Sequence, residues 1–355
     1  MLSRLKAESI WVCMLIAILL LTMIVPVINP SLVSASDTRT LTEAMDEIVS
    51  YYENHKTSLD NWEEIIALSN AGVDLSDDPW QLPDLGVGSL DSESPALKYS
   101  STILAMEALG QDPSDIDGRN LLAELSNMQT ESGAFPGSIN NTIWSIIALD
   151  KTEGDYRVDK AIDYLIAQQS SDGGFALSGS KADPDITGLA LLALSTHIDI
   201  PGVTDTINQI KDCLKEIQLD SGGFSSGEAE NTESIASVIR GLTAIGEDIT
   251  SAGWIKNEKT MIDALFALQL GDYSFSHTPG GPKDDMATRQ ALIAVSALVK
   301  ANINYSIGPN GGTGGSNDEQ GVRVRVEGAA GSLHDSEVTV SWNRPGCFAG
   351  SSRCR

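Results

Sequence analysis

The chain has 355 residues, a formal net charge of −26 at pH 7 and a pI near 4.3. Such an excess of acid argues against nucleic acid and anionic membrane surfaces as partners, because like charges repel on approach. Four cysteines in this length do not frame a disulfide-stapled domain, and aromatic residues are only 5% of the chain.

Arg4 and Lys6 precede an uncharged apolar stretch from about Ile10 to Val27, and the small residues Ser31 to Ser36 follow. This is the pattern of a secretory signal, with cleavage expected after Ala35 and export to the medium or the cell surface as the consequence. If retained, the stretch is long enough to span a bilayer, which takes about 17–25 residues. Membrane contact is expected only in that form. Residues 1–35 are therefore set apart from the fold. Residues 36–306 suffice for one large helical domain with a substantial core.

An amphipathic run from Leu41 to His55 opens that domain, followed by apolar helical runs from Trp62 and from Ala96. Four segments then place a glutamine six residues before a phenylalanine: Gln129 and Phe135, Gln169 and Phe175, Gln218 and Phe224, Gln269 and Phe275. Each glutamine ends an amphipathic run with apolar residues at three- and four-residue spacing. Each phenylalanine leads, through a short polar loop, into a more uniformly apolar run. The unit is outer helix, Gly-rich turn and inner helix, repeated about every 40–50 residues.

The composition of the turn has physical reasons. Gly133, Gly173–Gly174 and Gly222–Gly223 are expected to supply left-handed backbone at a helix end. The phenylalanines are expected between the helical layers, and the glutamines to bridge to backbone of a neighbouring repeat. Asn141, Asp185 and Asn231 stand where inner helices start and are expected to cap them. With the two earlier helices the inner layer reaches six. Closing six hairpins into a ring buries both terminal apolar faces, which an open solenoid must cap. The expected fold is all-α, an α/α toroid of about six helical hairpins.

After the toroid, residues 307–320 read as a Gly-rich flexible linker. Alternation from Val322 to Val326 and from Glu337 to Trp342 then predicts a β-hairpin within residues 321–355. The tail is abruptly basic and carries Cys347 and Cys354, which are close enough in sequence to pair.

The Gln-x-x-[Asp/Ser]-Gly-Gly-Phe turns resemble the repeat signature of squalene and hopene cyclases and of protein prenyltransferase β-subunits, over residues 95–300. Class II terpene cyclases protonate an alkene with the middle aspartate of a D-x-D-D-T motif. Here Asp183, Asp185 and Thr187 match, while Ile186 replaces the last aspartate. A carboxylic acid strong enough for that step needs its paired carboxylate. Asp185 is thus a catalytic candidate only for a cyclase-like enzyme, active or degenerate. Prenyltransferases bind zinc through Asp, Cys and His. Cys213 lies on an outer helix, and His55, His197 and His277 show no ligand spacing and read as solvated surface residues. No metal and no resident cofactor are expected.

A further resemblance is to the vitamin B12 carriers, exported toroids that grip their ligand against a small β-domain. The run from Asp185 to Ser195 is similar to one of their inner helices. The run Met286 to Leu292 is similar to another, which makes Gln290 a candidate contact. The helix opening at Asn231 implies Asn231 or Glu233 as a further contact. The C-terminal hairpin resembles the start of the carriers' β-domain, and its early end implies truncation or a frameshift. The resemblance implies a small-molecule ligand, of corrinoid type. It is expected where all inner-helix N-termini meet, because their partial positive charges favour an anionic or hydrogen-bond-accepting group. Candidate ligand-binding residues are Asp183, Asp185, Thr187, Asn231, Glu233, Gln290 and Trp144. A terpene cyclase-like enzyme and a cell-surface interaction scaffold are the alternatives.

Overall fold

The computed structural model describes residues 38–76 and 80–308. The expected signal segment, the expected linker beyond residue 308, the expected hairpin and Cys347 and Cys354 lie outside the described residues. In chain order the helices are α1 (Leu41–His55), α2 (Trp62–Asn70), α3 (Ala96–Ala108), α4 (Leu121–Asn127), α5 (Ile139–Lys151), α6 (Val158–Ala167), α7 (Pro184–Leu194), α8 (Val203–Ile217), α9 (Thr232–Ala244), α10 (Met261–Phe266) and α11 (Asp285–Lys300). Four two-residue strands accompany them: β1 (Arg39–Thr40), β2 (Phe275–Ser276), β3 (Lys283–Asp284) and β4 (Ser306–Ile307).

Helices α2, α3, α5, α7, α9 and α11 form the inner layer, each packed against the next, and α11 returns to α2. They run parallel, as their cross-pairs show. Ser100 meets Ser145 while Glu107 meets Lys151, and Glu63 meets Arg289 while Asn70 meets Lys300. The remaining helices are outer ones. Between α2 and α3 the described residues hold only a single 3-10 turn, Val87–Ser89. Six inner helices are thus served by five outer ones among the described residues.

Sequence pattern accounts for the two layers. Helix α8 buries one stripe, including Val203, Thr206, Ile210 and Leu214, and leaves the other face wet. Helix α9 is buried from Thr232 to Leu242, because neighbours press on it from both sides and from outside. Its approach to α7 is especially close. A Cβ on Gly188 would fall 2.4 Å from the Ser237 carbonyl oxygen, so glycine sets the spacing of these two helices.

The four phenylalanines are buried between the layers, none more than 1% exposed. Each glutamine clasps its own turn and, for the first three repeats, a backbone carbonyl of the next repeat, at or ahead of its outer helix. Gln129 donates to the carbonyls of Gly133 and Arg157, both at 3.1 Å, and accepts from the Arg157 N–H at 2.9 Å. Gln169 donates to Gly173 at 2.8 Å and Thr206 at 3.4 Å. Gln218 donates to Gly222 at 2.7 Å and Trp254 at 2.9 Å. One side-chain amide therefore ties each hairpin to its successor.

The fourth repeat has no successor in sequence, and the N-terminus takes that place. Gln269 donates to Tyr273 at 3.5 Å and accepts from the guanidinium of Arg39. Arg39 also stacks over the Phe266 ring, and β1 pairs antiparallel with β4, Arg39 opposite Ile307. This pairing ties the two ends of the described helical array together through Ile307. Tyr273 stands where the earlier turns have glycine, with φ of 69°, and its side chain is free to project outward because no outer helix begins above it.

This arrangement makes a stability prediction. Gln218→Ala should cost about 1–3 kcal/mol, since it strands buried backbone carbonyls. Gly222→Ala should cost clearly more than Gly179→Ala. Both glycines have φ near +85°, yet a Cβ on Gly222 meets the Thr260 carbonyl at 2.5 Å while one on Gly179 meets nothing. Urea denaturation of the three variants followed by circular dichroism checks this, and equal costs for the two glycines would contradict the close-approach account.

Candidate functional site

At the mouth formed by the inner-helix N-termini, the candidate residues are mostly committed to the fold. Asp183 is the N-cap of α7 and accepts from the Asp185 N–H at 2.9 Å. Asp185 is therefore the second helical residue, within the first turn, and is not the N-cap, contrary to expectation. Asn231 caps α9 by accepting from the Ser234 N–H at 2.8 Å. Asn141 lies within α5 and donates to the Pro136 carbonyl at 2.8 Å, so it too is not an N-cap. Glu233 accepts from His277 Nδ1 at 2.7 Å. Burial pushes the Glu233 carboxyl above its ordinary range, and His277 only partly opposes this.

Thr187 is fully buried, and its hydroxyl accepts from the Phe175 N–H at 2.9 Å and donates to the Phe175 carbonyl at 3.1 Å. Thr142 and Thr288 accept in the same way from Phe135 and Phe275. This threonine, four positions into an inner helix, is a repeat element that clamps the turn from inside. Nothing in its surroundings leaves it free for a ligand.

Asp185 differs from its neighbours. One of its carboxylate oxygens is buried without a hydrogen-bond partner, as is the hydroxyl of nearby Ser234. Burial pushes its pKa up to about 6, and Asp183 and Glu233 add to the rise, while Ser234 and Ser226 oppose it.

The cavity lies elsewhere. A space of about 420 Å³ opens in the middle of the ring and is lined by residues from all six inner helices. Its rim carries Asn70, Glu107, Lys151 and Lys300, which stand at the C-terminal ends of their helices. The rim of this cavity is therefore at the opposite end from the mouth expected from sequence. Ser237 of α9 donates to the Asp185 carbonyl at 2.7 Å, and the α7–α9 approach at Gly188 leaves no gap there.

Trp62 and Trp144 form one wall, edge to face with ring centroids 5.2 Å apart. Arg240 lies over the Trp144 ring, 5.8 Å from its centroid, and is 8% exposed. Its Nη1 donates to Gln290 Oε1 at 3.2 Å, Gln290 Nε2 donates to Glu63 Oε1 at 2.6 Å, and Arg289 Nε donates to Glu63 Oε2 at 2.7 Å. Both ends of the Gln290 amide are thus engaged. It positions Arg240 and Glu63 instead of presenting a free group.

Of the sequence candidates only Trp144 lines this cavity, with Gln290 bound to its lining. Trp62, Glu63, Arg240 and Lys300 were not anticipated. A visible cue was the arginine in the otherwise apolar stretch Val238 to Leu242. The histidine reading also needs correction at His197, whose side chain is 12% exposed and lies 2.8 Å from Asp150 Oδ2. Tyr156 donates to the other Asp150 oxygen at 2.6 Å, so the three side chains join the ends of two repeats. Cys213 is buried in α8, where desolvation pushes its thiol up to about 11. Among the described residues no cluster of three or more His, Cys, Asp or Glu is placed to hold a metal, and no helix is long and apolar enough to cross a membrane.

The family model of the prenyltransferase alpha-alpha toroid domain matches residues 79–196 and 185–311. The chain belongs to this toroid family. No curated protein matches it in sequence. Among solved structures it is similar to the type II terpene cyclase MstE from Scytonema, at 13% identity and a TM-score of 0.51, over 74% of this chain and 98% of that one. A variant of the same cyclase in complex with geranylgeranyl dihydroxybenzoate gives 13% identity and a TM-score of 0.50, over 74% and 97%. The Candida albicans protein geranylgeranyltransferase-I complexed with GGPP aligns at 12% identity and a TM-score of 0.47, over 76% and 94%. Identities this low establish the fold and leave the chemistry to this toroid's own residues.

The Asp185 environment predicts a pH effect. Its carboxyl titrates near 3.8 in an ordinary setting and near 6 in the fold, so the protonated form favours folding. That contribution is complete below the unfolded pKa and is lost as pH rises through the folded one. Relative to wild type, Asp185→Asn should therefore gain stability of the order of 2 kcal/mol between pH 4 and pH 7. Equilibrium denaturation at the two pH values measures it. A stability difference independent of pH would contradict the elevated pKa.

Proposed function

We propose that this chain is an exported ligand-binding toroid whose central cavity takes a small amphipathic molecule through the mouth at the inner-helix C-termini. The observation that carries this reading is the cavity itself, about 420 Å³ with a tryptophan pair and a buried guanidinium in its wall. Ligand pockets are typically about 300–1,000 Å³, mostly apolar with a few placed polar groups. Ile66, Leu104, Ile147, Leu192 and Ile293 supply the apolar part here. A corrinoid is bulkier than a space of this size encloses, and on this reading it would rest across the rim. Export is supported by the charged-then-apolar N-terminal pattern and the cleavage-like Ala35.

A cyclase-like reading is favoured by one observation, the buried and partly unpartnered Asp185, which holds its proton to about pH 6. Two features weigh against it. Asp185 and the cavity residue Leu192 are seven positions apart on α7, about 10 Å along the axis. Ile186, in place of the second carboxylate, is buried in the core. Product formation from a polyene by the wild type, abolished in a folded Asp185→Asn variant, would establish this reading.

The binding proposal is tested with N-phenyl-1-naphthylamine, an uncharged amphipathic fluorophore. Saturable binding with energy transfer from tryptophan is expected. Leu192→Trp, which fills the cavity, should weaken binding at least about tenfold while the variant still melts cooperatively. Affinity unchanged by that substitution would contradict the cavity assignment, and failure of the probe to bind at all would favour the scaffold reading.

A further inference from the structure

Arg240 is a buried cation with little to hold it. Among the described residues no carboxylate lies within ion-pair distance of its guanidinium. Of its donors only Nη1 finds an acceptor, the neutral Gln290 oxygen. Glu63, the anion that acts on it from farther off, is already occupied by Arg289 and Gln290. A buried guanidinium with unused donors is costly unless something pairs with it. The unused donors belong to a residue that lines the cavity.

The rim adds to the same charge. Lys300 donates to Asn70 at 2.7 Å and has no carboxylate partner among the described residues. Burial, and then neighbouring Lys151, hold its ammonium below the ordinary lysine range. Lys151 itself is balanced by Glu107 at 3.2 Å. The lining thus holds three cations and two anions, and Arg289 offsets one of those anions. This excess of one to two positive charges sits in a chain of net charge −26. The helix C-termini surround the rim with carbonyls, which disfavours an anion there. Arg240, inside α9, is the better counter-charge.

We infer that the cavity selects an amphipathic monocarboxylate, its head paired with Arg240 and its apolar body against Trp62, Trp144 and the aliphatic wall. This rests on the ligand-binding reading above and narrows it to a chemical class. A carboxylate fits the fork of a guanidinium with two parallel hydrogen bonds. Its single charge matches the local excess, whereas a diphosphate would exceed it. Lys300 lies on the path of entry and raises the rate at which an anion arrives.

The experiment displaces N-phenyl-1-naphthylamine from the full chain with decanoate, decanol or decyl phosphate, which share a tail and differ in head group. Decanoate should bind at least about tenfold more tightly than decanol, the margin of one charge-assisted hydrogen-bond pair. Arg240→Met should erase that preference while leaving decanol affinity within about twofold. Because the methionine removes a buried charge, the fold should survive, and thermal melting checks it. Should that variant not fold, Lys300→Gln on the rim gives the second reading, with decanoate weakened about three- to fivefold and decanol unaffected. Equal binding of decanoate and decanol would overturn the inference while leaving the cavity reading intact. Tighter binding of decyl phosphate would overturn it in favour of a phosphate head. Probe that binds and is displaced by none of the three would overturn it as well.

Discussion

A glutamine amide at the end of each outer helix has two jobs in this fold, holding its own turn and reaching backbone groups of the next repeat. Gln129, Gln169 and Gln218 find those groups one repeat onward. Gln269 can find a partner only if the chain comes full circle, and Arg39 of β1 supplies it. Closure also brings α11 onto α2, where Glu63 receives both Arg289 and Gln290. An open array would expose those apolar faces and leave these acceptors without their donors.

Once closed, the ring fixes where chemistry can occur. Six parallel helices gather their N-termini at one end and their C-termini at the other. Acidic and cap-forming side chains at the first end suit the partial positive charge there, as Asp183 and Asp284 do. Near that end Gly188 packs directly against Ser237. Space survives toward the other end, where Trp62, Trp144 and Arg240 face inward from different helices.

Much of the fold was legible in the sequence, because four Gln-to-Phe spacings cannot arise from independent helices and their amphipathic flanks assign inner and outer layers. The site was legible only in part. Polar residues at helix starts advertise themselves equally whether they bind ligands or cap backbone, and Thr187, Asn231 and Asp183 all hydrogen-bond to backbone in the fold. Trp62 lies ahead of the repeated signature, so nothing in the pattern linked it to Trp144. Arg240 was visible as a cation in an apolar helix, but its lack of a partner depends on Glu63, far away in sequence, being held by other donors. Gln290 was singled out through resemblance, and its true neighbours became apparent only with the ring closed.

The central claim is that a closed ring holds a ligand-sized space that opens at the C-terminal ends of its inner helices. A crystal structure of the full chain soaked with a bromoalkane, read from the anomalous signal of bromine, tests it most directly. The expected peak lies between Trp62, Trp144, Leu192 and Ile293, in a ring whose α11 contacts α2. A peak at the opposite end, beside Asp185 and Glu233, or a gap between α11 and α2, would contradict the account.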